Sequence, residues 1–121
     1  MRYGLFIILA DPGKWESLSV AERNEVHAEC GAWHEALENG GHAVFAAAFQ
    51  SPRASVTLRQ VEGKVVIADG PFSENPFPLG GFEVIECASI DEAISLAEQF
   101  PALRAGYAVE VRPSVTDGCK D

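Results

Sequence analysis

Two carboxylates, Asp69 and Glu74, flank an Asp-Gly-Pro corner in the stretch Asp69-Gly70-Pro71-Phe72-Ser73-Glu74. An acid that ends an apolar run, Val65 to Ala68, just before a rigid turn can be tuned by partial desolvation into a general acid or base. A second carboxylate facing it would split the pair's proton affinities. The same residues also fit a plainer role, with Asp69 capping its own turn and Glu74 a solvated loop acid. Phe72, Phe77 and Phe82 either line a pocket mouth or pack in a core or interface. Glu86, Glu110 and Arg112 are charges within predicted strands, and the two-residue period puts Glu110 and Arg112 on one face. Arg112, with Arg59, can hold an anionic substrate bidentately; alternatively these charges form an ion-pair network along the sheet or a subunit seam.

The histidines and cysteines are less pointed. His27 and His34 share a helix face but lie about 10 Å apart along the axis, so they cannot jointly hold one metal. His34 and Glu38 stand at i, i+4, a spacing that suits a ligand pair and equally an ordinary helical contact. With no third ligand in view, no metal site is expected; proton transfer by His34 remains open, against a flank or interface role. Cys30, Cys87 and Cys119 are odd in number and form no CxxC pair, so neither a zinc ribbon nor a disulfide framework is indicated. Reduced thiols in the cytoplasm fit this usage.

The elements that would position these groups follow from periodicity and punctuation. Tyr3 to Ala10 reads as a buried strand closed by Asp11-Pro12-Gly13. A helix starts near Val20 behind a Ser19/Glu22 capping box. It carries the stripe Val26, Cys30, Trp33, Leu37 and ends at Asn39-Gly40-Gly41. Ala43 to Phe49 is an alanine-rich strand whose small side chains leave either a cavity or room for a close helix. Ser55–Val61 and Lys64–Ala68 form a hairpin across Glu62-Gly63. Phe82 to Cys87 is a strand. A second helix follows a Ser89/Glu92 box, carries Ile90, Ala93, Ile94 and Ala97, and ends by Pro101. Tyr107 to Arg112 is the last strand.

This order predicts an α+β fold: a ferredoxin-like split βαβ with an added β-hairpin, helices over one face of an antiparallel sheet. Apolar residues at alternate positions of the other face, such as Val56 and Leu58, would stay wet in a lone subunit at about 25 cal/mol per Å². A homodimer packed sheet to sheet is therefore expected. The 121 residues suit one domain, with 1–113 as ordered core and 114–121 as a polar tail. Eighteen acidic against nine basic residues, net charge −9, argue against nucleic acid and anionic membranes as partners. Leu5 to Leu9 is too short to span a bilayer.

The chain also resembles the DGPF-type members of the YCII-related proteins. The likeness runs through Tyr3, Trp15 with Leu18, Glu35-x-Leu37, Gly41, Thr57-x-Arg59, Gly63, Asp69-Gly70-Pro71-Phe72-x-Glu74 and Leu79-Gly80-Gly81-Phe82. It continues through Ile85-Glu86, Asp91-Glu92-Ala93 and Val109-Glu110-Val111-Arg112-Pro113. The resemblance implies a dimeric α/β-barrel of ferredoxin-like subunits, in a family that mixes small lyase- or isomerase-like enzymes with members of unknown role. Such proteins also occur beside, or fused to, extracytoplasmic-function sigma factors. Two positions depart from the pattern: Pro76-Phe77 replaces the usual Lys-Glu, and His34 stands where the family more often has a small polar residue. The expectation is a small polar organic ligand in a dimer cavity roofed by the Asp69-to-Gly81 loop. Its chemistry would be cofactor-free elimination or isomerisation, with Asp69, Glu74 and His34 as acid/base candidates and Arg59, Phe72, Phe77 and Arg112 as ligand-binding candidates. The rival expectation is a non-catalytic regulatory or protein-interaction module in a sigma-factor or stress response.

Overall fold

A computed structural model of the chain describes residues 1–74 and 77–115; Pro76, Cys119 and the tail from Thr116 lie outside them. Four strands, β1 (Arg2–Leu9), β2 (Ala43–Ala48), β5 (Leu79–Glu86) and β6 (Tyr107–Pro113), form one antiparallel sheet in the order β2-β5-β1-β6. β1 and β2 are therefore parallel to each other with β5 between them. The connection from β1 to β2 runs through α1 (Pro12–Ser17) and α2 (Val20–Asn39); that from β5 to β6 runs through α3 (Ile90–Glu98). Strands β3 (Val56–Val61) and β4 (Lys64–Asp69) pair only with each other, as a separate two-stranded sheet.

Alternation along the strands sorts the two faces of the larger sheet. Tyr3, Leu5 and Ile85 are buried and pack with Val26, Trp33 and Leu37 of α2, with Ala93 and Ala97 of α3, and with Phe100. The Trp33 indole donates to the Leu96 carbonyl at 3.0 Å and meets Phe100 edge-on at 5.0 Å between ring centroids, so α2 and α3 are locked together over this face. Residues of the other parity, Phe6, Ile8, Phe82 and Val84, are only half-buried, and Phe45 and Phe49 beside them are exposed.

The Ser19/Glu22 capping box forms in full. The second box forms by half: Ser89 accepts from the Glu92 N–H, but the Glu92 carboxylate reaches the N–H of Ala88 rather than that of Ser89. In α3, Ala93 and Ala97 face the core, whereas Ile90 and Ile94 sit at 40% and 42% exposure. The short helix α1 goes beyond the sequence expectation. Asp11 caps it by accepting from the Lys14 N–H, and Pro12 opens it with its fixed φ. β5 begins three residues before the expected Phe82, because Gly81 lets β2 come close: a Cβ there would lie 2.7 Å from the Ala47 carbonyl oxygen. At the hairpin tip Glu62 and Gly63 both have positive φ, 50° and 80°, the backbone that a two-residue turn between twisted strands requires.

Val56 and Leu58 do not lie on the open face of the four-stranded sheet, as alternation along the chain had implied. They belong to the hairpin and share one of its faces with Ile67 and Val65, all four between 55% and 66% exposed.

Candidate functional site

The alanine-rich β2 and the glycine pair of β5 leave a hollow of about 300 Å³ under α2. Its floor is Ala46, Ala47, Ala48, Gly80 and Gly81; its walls are Trp15, Trp33, Phe100 and Tyr107; its polar groups are His27, Cys30, His34 and Glu83. The space left by small residues is thus a cavity on the helix-covered side, inside one subunit.

Glu83 is the chemical centre of this hollow. It is 4% exposed, the one buried charged residue among those described. Its Oε1 lies 2.6 Å from His34 Nδ1, and no hydrogen bond among the described residues occupies Oε2. Burial pushes the Glu83 carboxyl above its ordinary range; the hydrogen bond from His34 partly offsets this, and the negative Glu38 nearby adds to the upward push. The opposite ring nitrogen, His34 Nε2, lies 3.2 Å from Glu38 Oε1, so the i, i+4 pair expected on α2 is formed. The contact with Glu83 is a hydrogen bond, whereas that with Glu38 is an ion-pair contact from the other edge of the ring. Of the other groups in the hollow, burial raises the Cys30 thiol and the Tyr107 hydroxyl, and the His27 ring packs edge-on against Trp15 at 5.3 Å.

The remaining candidates lie elsewhere and apart. Asp69, expected to be partly buried, is exposed at the end of β4, and the turn after it is tied by Gly70 N–H to the Ser55 carbonyl and by the Thr57 hydroxyl to the Gly70 carbonyl. Glu74 and Phe72 line an open groove of about 800 Å³ with Ser51, Arg53 and Pro71. Phe77, near the same loop, is 52% exposed. Arg59 stacks over Phe72 at 5.4 Å, on the hairpin. Arg112 is on β6, over the Phe6 ring at 5.0 Å and ion-paired with Glu110. Arg59 thus does not join the Glu110/Arg112 pair within one subunit. Glu86 pairs with Arg2 and the N-terminal amine, as the network reading of the strand charges had it.

Sequence reasoning passed over Glu83, although a signal was present. Counting by twos from Ile85 and Cys87 places Glu83 and Gly81 on their face, so a carboxylate sits on the buried parity of its strand.

The family profile of the YCII-related domain matches residues 4–115. An uncharacterised protein of Rhizobium meliloti (strain 1021) is 43% identical over 61 residues, a match covering 50% of this chain and about half, 49%, of that relative. Among solved structures, 5-chloro-2-hydroxyhydroquinone dehydrochlorinase from Burkholderia phenoliruptrix AC1100, in complex with 2,5-dihydroxybenzoquinone, is similar over 100% of both chains. Its TM-score is 0.56 at 20% sequence identity, a likeness of fold.

Proposed function

The chain belongs to the YCII-related domain family, and from that footing we propose that it is a cofactor-free acid/base enzyme acting on a small hydroxylated, ring-sized organic molecule held under α2. The observation that carries this is the buried Glu83, which lines an aromatic-walled hollow with one oxygen bonded to His34 and, among the described residues, no hydrogen bond on the other. A carboxylate raised by burial is a stronger base nearer neutral pH. In this reading Glu83 Oε2 takes a proton from the bound molecule, which keeps the electron pair of the broken bond for elimination or isomerisation. His34 Nδ1–H steadies the carboxylate before the transfer. The ring walls supply the apolar contact and the few polar groups the orientation, the usual division in small-molecule sites. The dehydrochlorinase named above supports the substrate class, since a quinone-sized ring suits a hollow of this volume.

The same premise supports a homodimer of ferredoxin-like subunits in the cytoplasm. The strand order β2-β5-β1-β6 with two crossover connections supports the split βαβ reading. The bare apolar faces, with Phe45, Phe49, Leu58 and Ile67 between 50% and 66% exposed, support a covering copy. Asp69, Glu74, Arg59, Phe72, Phe77 and Arg112 face solvent in one copy, so their part in ligand binding depends on a covering copy.

The test is solvent deuterium uptake at ring carbons of a panel of hydroxylated benzoquinones and hydroquinones. Wild type should accelerate uptake over buffer, Glu83→Gln should lose about 10²- to 10⁴-fold of that acceleration, and Asp69→Asn should keep it. Equal rates for wild type and Glu83→Gln would remove Glu83 from the chemistry. A second reading, a non-catalytic interaction module, is favoured by the bare hairpin. It predicts no uptake with any member of the panel and capture of a partner that Leu58→Asp abolishes.

A further inference from the structure

Of the short helix α1, only Trp15 lines the hollow, and none of its six residues is buried. A helix so short does not hold its own shape in water, so Trp15 stays where other elements tie it. At the start of α1, the Asp11 N–H donates to the Gly106 carbonyl at 2.8 Å. At its end, the ties come from one side chain of α2. Arg23 Nε donates to the Trp15 carbonyl at 3.1 Å, and its Nη2 to the Glu16 carbonyl at 2.9 Å. The same guanidinium stands over the Trp15 ring, 5.7 Å from its centroid. His27, one turn further along α2, and Tyr107 of β6 meet that ring edge-to-face at 5.3 and 5.4 Å.

We propose that Arg23 is a positioning residue of the site: it fixes Trp15 as a wall against which a bound ring packs, and so sets affinity for a ligand it does not touch. This rests on the reading of the hollow as the ligand site. Arg23 is absent from the residues that line the hollow, so its influence passes through Trp15. The carbonyls of Trp15 and Glu16 belong to the last turn of α1, where acceptors lack partners within the helix. A guanidinium carries its donors in a rigid fork and also stacks on an indole, so one arginine can bond two successive carbonyls and cover the ring; the point charge of a lysine cannot reproduce both. No hydrogen bond or ring contact among the described residues joins Arg23 or Trp15 to Glu83 or His34. The wall and the acid/base pair are therefore separable.

Calorimetric titration with hydroxyhydroquinone under argon reads binding, and deuterium uptake at saturating hydroxyhydroquinone reads proton transfer. Arg23→Ala should raise Kd by about three- to tenfold, the size of one aromatic contact. Uptake at saturation should stay within about twofold of wild type, since only binding shared by ground and transition states is lost. Arg23→Lys, which keeps the charge and loses the fork, should fall between the two. A double-mutant cycle decides the route: in a Trp15→Ala background, Arg23→Ala should change Kd no further. Equal Kd in wild type and Arg23→Ala overturns the proposal. So does an Arg23→Ala effect as large without Trp15 as with it, or a loss of uptake at saturation that matches the loss of affinity. Should Arg23→Ala fail to fold, Arg23→Lys serves the same cycle under the same criteria. Wild type that binds neither hydroxyhydroquinone nor any other member of the panel removes the hollow as the ligand site and this proposal with it, whereas binding that is indifferent to Arg23 removes Arg23 alone.

Discussion

A carboxylate on the buried parity of β5 has consequences for stability as well as chemistry. Glu83 is raised above its ordinary range in the folded chain, so folding favours its protonated form. Its contribution is fully present below the carboxylate range of the unfolded chain and is lost as pH rises through the raised folded value. Glu83→Gln, which imitates the neutral acid, lacks this loss. The melting temperature of the variant should therefore gain on that of wild type as pH is raised from about 4 toward neutrality. Glu22 and Glu86, both lowered by their hydrogen-bond partners, act in the opposite sense but equally in both proteins, so the difference isolates Glu83. A gap independent of pH would contradict the assignment. Leu5, fully buried opposite Glu83 in the register, offers the contrasting case of pure packing: Leu5→Ala should lower stability by about 2–5 kcal/mol in urea unfolding at any pH. At this scale the chain disclosed His34 and its i, i+4 partner, because helical spacing alone brings them together. It gave no prominence to Glu83, since a strand reading treats Glu83 and Glu86 alike until the parity of Ile85 separates one face from the other.

The elements themselves are held by local devices that can be removed one at a time. Ser19→Ala breaks a complete reciprocal cap on the twenty-residue α2, and about 1 kcal/mol should be lost in chemical denaturation. Ser89→Ala removes only the side-chain acceptor for the Glu92 N–H, leaving the Glu92 bond to Ala88, so its cost should be the smaller of the two; a larger loss at Ser89 would contradict the division of labour between these caps. Gly81→Ala drives a methyl toward the Ala47 carbonyl and should cost about 1–3 kcal/mol while shrinking the floor of the hollow. Caps, the Glu62-Gly63 turn and the strand periods were legible because each is a short-range rule. The helix α1 was not: six residues are too few for a stripe, although Asp11-Pro12 is a helix start. The pairing of β3 with β4 alone was equally hidden, because alternation reports that a face is apolar and not which sheet it belongs to.

For the whole molecule, the bare faces set the expectation. Phe45 at 60% and Phe49 at 50% exposure beside Phe82, and the hairpin's Leu58 and Ile67, are more apolar surface than one soluble subunit usually leaves open. Light scattering should give a mass near twice the 13.0 kDa of the chain. Phe45→Asp on the sheet should drive it toward one copy, and a folded single copy of wild type at micromolar concentration would contradict the sheet-to-sheet pair. The pairing should also tighten with added salt, since two chains of net charge −9 repel each other until screened. One feature of the interior gives the molecule its own indicator. Both tryptophans of the chain border the hollow, Trp15 against Tyr107 and Trp33 pinned to Leu96. Tryptophan emission therefore comes entirely from the walls around Glu83. A quinone sliding between them will dim that light at once, and one that settles on the hairpin will leave it as bright as before.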